Sequence, residues 1–322
     1  MMRRVILLML ALCCLVGCAG RTPEHALQRQ TVIAREESPE TLVQRMAPAF
    51  ALQGVDQAYN RIAAVRATGS KGSGAIVLDP DTPVLYAGHS SFSTATGTYT
   101  NLIYRVHFAE QPFSLIPFHL GAGKHPGLLI ILTLDERQQV LLVTTAHTCG
   151  CYAISLPTQS LPSFAYPTRW PPESIDLYGE TLPARLPSLG RDDLVLVRIR
   201  PEVHRVMDLQ VVSRHSLSGG MIQAAAISNL ETLKSLPLED GSTTSLYYQR
   251  WPLAGHVKGA IKPWETLLLS VVSLDLFVGM DKEFGDTEAS GNPFYTSLKP
   301  WNRYRSDMNT FPAYLHFNGW RL

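Results

Sequence analysis

Four short runs rich in branched residues most constrain what this chain can fold into: 102–108, 127–134, 140–146 and 194–199. At six to eight residues they are too short for typical core helices and have the length and composition of strands. Asp135-Glu136-Arg137-Gln138 lies between two of them as a polar hairpin connection. The run 75–78 begins a further apolar stretch after a Gly-Ser break at 69–74. Seven prolines between Pro157 and Pro187 forbid a long helix there and predict a loop wrapped over the surface.

Helical spacing is read on both sides of this region. Val43, Met46, Phe50, Leu52, Val55, Tyr59 and Ile62 recur mostly three or four apart, predicting a helix within 41–66 that Pro48 kinks or starts. Beyond about 215, helices are expected over 221–236, over 263–284 with proline in the first turn, and over 307–317 interrupted by Pro312. Lys-Pro-Trp occurs at 262–264 and 299–301, too short a match to count as a repeat. The order of elements predicts an α+β fold, a mainly antiparallel central sheet flanked by N-terminal and C-terminal helices.

The chain is 45% hydrophobic and 17% charged with net charge +1, which means a packed body and gives no reason to expect nucleic acid as partner. The most apolar later segment, 264–280, carries Glu265 and Asp275 and reads as a buried core helix, not a membrane span.

The chain start differs. Arg3 and Arg4 precede twelve residues, 5–16, without a polar side chain, which fits a signal-peptide core and is too short to cross a bilayer. It ends in Leu15-Val16-Gly17-Cys18. This resembles the lipobox of bacterial lipoprotein precursors over the first 20 or so residues. The resemblance implies cleavage before Cys18, a diacylglycerol thioether on its sulfur, and usually acylation of the new amino group. Ala19 stands where an inner-membrane retention signal would place Asp, which by resemblance favours the outer membrane with the body facing the periplasm. The expected organisation is a signal at 1–17, a lipidated polar tether at 18–40 and a globular body at 41–322, with the membrane as one partner and an envelope protein or small ligand as another.

Cys13 and Cys14 leave with the signal, so only Cys18, Cys149 and Cys151 remain, excluding a disulfide-rich scaffold. Thr144-Thr145-Ala146-His147-Thr148-Cys149-Gly150-Cys151-Tyr152 is the segment richest in chemistry. If the strand begun at Val140 continues, alternation puts His147, Cys149 and Cys151 on one face. Three readings stand open. The trio holds a soft metal, copper(I) or zinc being favoured by thiolate and imidazole; the cysteines form a short, readily reduced disulfide; or they are buried thiols beside a core histidine, in a structural or assembly lipoprotein. On a regular strand residues i and i+2 stand roughly 6.6 Å apart, so either chemistry needs a bend, which Gly150 permits.

His89, His107 and His119 are the candidates for additional ligands, although each alone reads first as a structural residue. The turn 121–127 holds Gly123-Lys124 but has Phe118 and His125 where a phosphate loop needs Gly and Ser or Thr. Gly88-His89-Ser90-Ser91-Phe92 lacks the second glycine of a nucleophile elbow. The acidic stretch 281–288 lacks EF-hand spacing and reads as a solvated helix end. No nucleophile–base or paired-carboxylate arrangement declares an enzyme.

Overall fold

The strand runs pair into one large sheet. A computed structural model describes residues 29–34, 41–217 and 221–322; the signal segment, Cys18 and much of the tether lie outside the described residues. Ten strands form the sheet: β1 (Arg29–Ala34), β2 (Ala49–Gln53), β3 (Val84–Ser93), β4 (Thr98–His107), β5 (Gly127–Leu134), β6 (Val140–His147), β7 (Ile154–Pro157), β8 (Asp193–Ile199), β9 (Val206–Ser213) and β10 (Met221–Asn229). Their order is β7-β6-β5-β4-β3-β10-β1-β2-β8-β9. Six of the nine pairings are antiparallel and three, β1 with β10, β2 with β8 and β3 with β10, are parallel.

The helix-flanked α+β expectation is corrected. The fold is mostly β, 39% strand against 15% helix, and the sheet curls. Three expected helices account for the error. Within 41–66 only Leu42–Arg45 is helical; the chain then turns at Pro48 into β2, and its apolar spacing belongs to two faces of a buried strand. The stretch 221–236 is β10 followed by a 3-10 turn. Helix α1 (Pro263–Ser273) stops at Leu274, whose φ is +50°, and α2 (Phe311–Phe317) carries Pro312 in its first turn instead of being interrupted by it. Arg29–Ala34, inside the stretch read as tether, is a strand between β10 and β2.

Both faces of β5 and β6 are buried at every position, which is why their sequences are mostly apolar throughout rather than alternating. Leu128, Ile130, Leu132 and Val143 enter the core inside the curl with Phe50, Tyr104, Val195 and Leu209. Leu129, Ile131 and Leu142 face outward under the C-terminal segment, against Phe294, Phe311, Tyr314 and Trp320.

Helix α1 is the reverse of a core helix: Glu265 and Ser273 are its buried residues, while Val271 is 78% and Val272 69% exposed. The buried-helix expectation for 264–280 fails there. No helix among the described residues is long and apolar enough to cross a membrane.

Register places the functional residues at one end of the sheet. His107 of β4 pairs with Gly127, where β5 begins, and Leu128 with His147, where β6 ends. Across the curl, the connection between β8 and β9 lies at this same end, and its His204 accepts a hydrogen bond from His147.

Candidate functional site

The strand expected to run through Cys151 ends at His147. Gly150 N–H donates to His147 O at 2.8 Å and His147 N–H donates to Cys151 O at 2.9 Å, closing a turn with Cys149 and Gly150 at its tip. Gly150 has φ +91°, in the left-handed region that favours glycine. The common strand face therefore does not exist. The turn does what alternation cannot: it sets the two thiols close enough that each shifts the ionisation of the other. Both cysteines are free thiols, Cys149 buried and Cys151 half-buried.

The two sulfurs meet opposite electrostatic surroundings. The Cys149 thiol is held well below its ordinary range by the adjoining Cys151 thiol, by the Lys262 ammonium and by His147, which together outweigh burial. Cys151 is driven well above, first by the adjoining Cys149, then by burial and by the Glu265 carboxylate. Cys151 Sγ donates to Glu265 Oε1 at 3.4 Å. Burial raises the Glu265 carboxyl, and the Cys149 thiolate raises it further. A thiolate beside cations and a thiol beside a carboxylate whose raised proton affinity suits it to take that thiol's proton form an ordered acid–base pair.

Two buried lysines support this arrangement. Lys262 Nζ lies 3.1 Å from Asp281 Oδ2, both side chains being essentially out of contact with solvent. Asp281 in turn accepts from the Thr148 hydroxyl and from Gly127 N–H, binding the turn to the start of β5. Lys282 donates to Cys149 O at 3.2 Å and stands 4.0 Å over the Tyr295 ring. Asp281 and Lys282 are thus core residues, correcting the solvated-end reading of 281–288.

His147 is oriented from the opposite edge of the curl. Its Nε2 donates to His204 O at 3.0 Å, which fixes the orientation of the ring. His204 Nε2 donates to Tyr59 O at 2.8 Å, and its ring stacks on Phe108 with centroids 4.0 Å apart. Burial pulls His204 down to about 3, so it stays neutral. Arg205 lies over the ring of Tyr152, 5.6 Å from its centroid, and with Arg200 is paired to buried Glu180.

A cleft of about 300 Å³ opens above the turn. Cys149, Gly150 and Cys151 form its floor; Glu265 and Leu269 of α1 form one wall, and Tyr152, Tyr178 and Arg205 another. Of the three additional histidines, only His119 reaches the cleft, with Nδ1 bonded to Pro112 O at 2.9 Å and Nε2 3.4 Å from Glu202. His107 is buried behind the turn, its Nε2 accepting from Arg105 Nε at 2.8 Å. His89 lies exposed on β3 and lines a different hollow. Among the described residues no group of three or more His, Cys, Asp or Glu side chains is disposed to hold a metal ion. His125, in the turn 121–127, bonds Lys258 O through Nδ1 at 2.9 Å.

The sequence reading missed Lys262, Glu265, Asp281, Lys282 and His204. One signal was present: Glu265 is the sole ionisable residue in the apolar stretch 263–274, and an isolated charge there marks a buried or functional position. Comparison with known protein families, curated proteins and solved structures finds no match to this chain.

Proposed function

We propose that this chain is an envelope lipoprotein, anchored through Cys18 and sorted to the outer membrane, whose periplasm-facing domain exchanges thiols and disulfides at Cys149 and Cys151. The observation that carries the thiol reading is the asymmetry of the pair: Cys149 faces Lys262 and His147, while Cys151 donates to Glu265. That asymmetry assigns different roles to two otherwise identical groups.

In the reducing direction the Cys149 thiolate attacks a substrate disulfide, forming a mixed disulfide and releasing one substrate sulfur as thiolate. Cys151 then gives its proton to Glu265 and attacks Cys149 Sγ, which breaks the mixed disulfide and releases the second sulfur. The products are a Cys149–Cys151 disulfide and a substrate dithiol. The proton from Cys151 passes through Glu265 to one leaving sulfur; the other takes its proton from solvent. Two electrons move from the pair to the substrate, and the reverse sequence hands the disulfide to a substrate dithiol. Stabilising the Cys149 thiolate favours the reduced pair and so makes its disulfide oxidising.

Differential alkylation of the full chain isolated from the envelope tests this. The expected result is a disulfide that mild reductant converts to two thiols, with Cys149 alkylated rapidly at pH 6. Two thiols that stay free, unreactive until denaturation and without metal would leave a structural lipoprotein; stoichiometric copper or zinc would establish the metal reading. Labelled palmitate should be incorporated into the wild-type chain and not into Cys18→Ser.

A further inference from the structure

Helix α1 buries its carboxylate and presents its apolar side chains outward. Trp264, Leu267, Leu268, Val271 and Val272 are exposed, and Leu274 and Leu276 extend the face beyond the helix. From Thr266 to Leu274 there is no charged residue. The face continues onto the neighbouring loop, where Phe113 stacks on Trp264 with centroids 5.8 Å apart and Leu115 and Ile116 stand 68% and 95% exposed. Large apolar side chains concentrated this way mark an interaction surface. At its edge, Arg303 donates to Ser273 O and holds the segment that carries exposed Trp301 and Tyr304 beside the end of α1. Lys299 and Arg305 flank those aromatics and are themselves exposed. An uncharged apolar centre with tryptophan, tyrosine and cations at its margin is the composition of a surface lying in a bilayer interface.

Chain geometry supplies a second, independent argument. β1 starts at Arg29, and the register carried through β10, β3, β4 and β5 puts that start at the same end of the sheet as His107 and Gly127. This is the end that carries α1, since Gly123 packs against the Ile261 carbonyl just before the helix. Cys18 precedes Arg29 by eleven residues, a span of at most roughly 40 Å. A lipid on Cys18 would keep this end of the domain, and not the opposite one, close to the membrane.

We infer that the exposed face of α1, with Phe113, Leu115 and Ile116, docks into the lipid bilayer surface. The inference rests on the lipoprotein reading only for the proximity of the bilayer. Glu265 and Leu269, on the other side of the same helix, line the thiol cleft. Docking therefore holds Cys149 and Cys151 about one helix diameter, roughly 10 Å, from the lipid, where the accessible thiols or disulfides are those of membrane-associated proteins.

Full-length protein reconstituted into phosphatidylethanolamine–phosphatidylglycerol vesicles with brominated acyl chains tests this, the Trp264 emission being isolated by difference against Trp264→Phe. Bromine should quench most of it. Leu267→Asp combined with Val271→Asp should abolish the quenching, while the protein still sediments with vesicles and melts as the wild type does, since both side chains are exposed. Unquenched Trp264 in protein that sediments would overturn docking and leave the anchor standing. Quenched Trp264 in protein that carries no lipid would support docking and remove the anchor. An unquenched Trp264 that crosslinks to an envelope protein would assign the face to that partner and overturn docking.

Discussion

The backbone of Gly150 lies against the carbonyl of Tyr295 so closely that a β-carbon on Gly150 would stand 1.9 Å from that oxygen. No side chain fits there without moving one of the two segments, and φ of +91° adds backbone strain for any L residue. Gly150→Ala should therefore separate the thiol turn from the C-terminal segment. The expected cost is on the order of 3 kcal/mol, read as a lower urea midpoint, and Cys149 should lose its fast alkylation at pH 6. A wild-type midpoint with wild-type alkylation would contradict this packing.

Lys262 supplies a cation to Cys149 from within the core. Lys262→Met removes it and raises the thiol, because an opposite charge no longer favours the thiolate. Part of the effect on rate is offset because a more basic thiolate is a better nucleophile, leaving alkylation at pH 6 slower on the order of threefold or more. The pH–rate curve should shift to higher pH and keep its shape. A curve that does not move would mean that Lys262 acts only on Asp281.

Glu265 acts on the other sulfur. Glu265→Gln keeps the shape of the side chain and a hydrogen-bonding partner for Cys151 but cannot accept its proton. Cys149 should still be alkylated quickly at pH 6, whereas closure of the mixed disulfide by Cys151 should slow on the order of 10²-fold or more, the typical contribution of general base catalysis. Stopped-flow release of the second thiol from a chromogenic disulfide separates the two steps. Equal slowing of both steps would place Glu265 in structure alone.

Strands were legible in the sequence wherever burial on both faces made a run mostly apolar throughout: 127–134 and 140–146 are β5 and β6 almost to the residue. Helical spacing misled for a related reason. In β2, Phe50 and Leu52 enter the core inside the curl, while Ala49 packs with Leu194 and Leu196 in a separate cluster, so both strand faces carry apolar residues and mimic a helical interval. α1 was found as a helix but assigned the wrong face, because apolarity alone does not tell a core from an exposed docking surface. At the site, His147 and the two cysteines are local and stood out. Lys262, Glu265, Asp281 and Lys282 come from more than 100 residues away, and their spacing carries no local signature; only the fold brings them together.

β1 ties the two halves of the sheet, pairing in parallel with β10 and antiparallel with β2. Val32 is fully buried beside Phe50 and Leu52. A chain beginning at residue 41 should lose the connection between β10 and β2 and unfold without a sharp urea transition. Val32→Ala in the full chain should retain the transition and lose about 2 kcal/mol, the cost of a small cavity. A sharp transition at the wild-type midpoint for the shortened chain would show that β1 adds nothing to the sheet.

Acid should weaken the fold before the ion-paired carboxylates titrate. Burial lowers His204 to about 3 and His256 to about 4, and pulls His107 well below its usual range, where its Nε2 accepts from Arg105. Unfolded, each histidine binds a proton near pH 6.5. Between that pH and the lowered folded values the unfolded chain holds more protons, so stability rises with pH. The contribution is complete above about pH 6.5 and is lost as pH falls toward 4 and 3, at roughly 1 kcal/mol per pH unit for each histidine. Glu265 and Asp307, whose carboxyls are raised by burial, bind protons more tightly in the fold and offset part of that slope. The net urea-derived stability should still fall from pH 6.5 to 4.5, the window above the range where lowered carboxylates such as Glu180 and Asp275 titrate. His204→Gln removes one titrating ring and should flatten the slope by about one proton's worth, whatever it does to absolute stability. Identical slopes for the wild type and His204→Gln would mean that His204 titrates alike in the folded and unfolded chain.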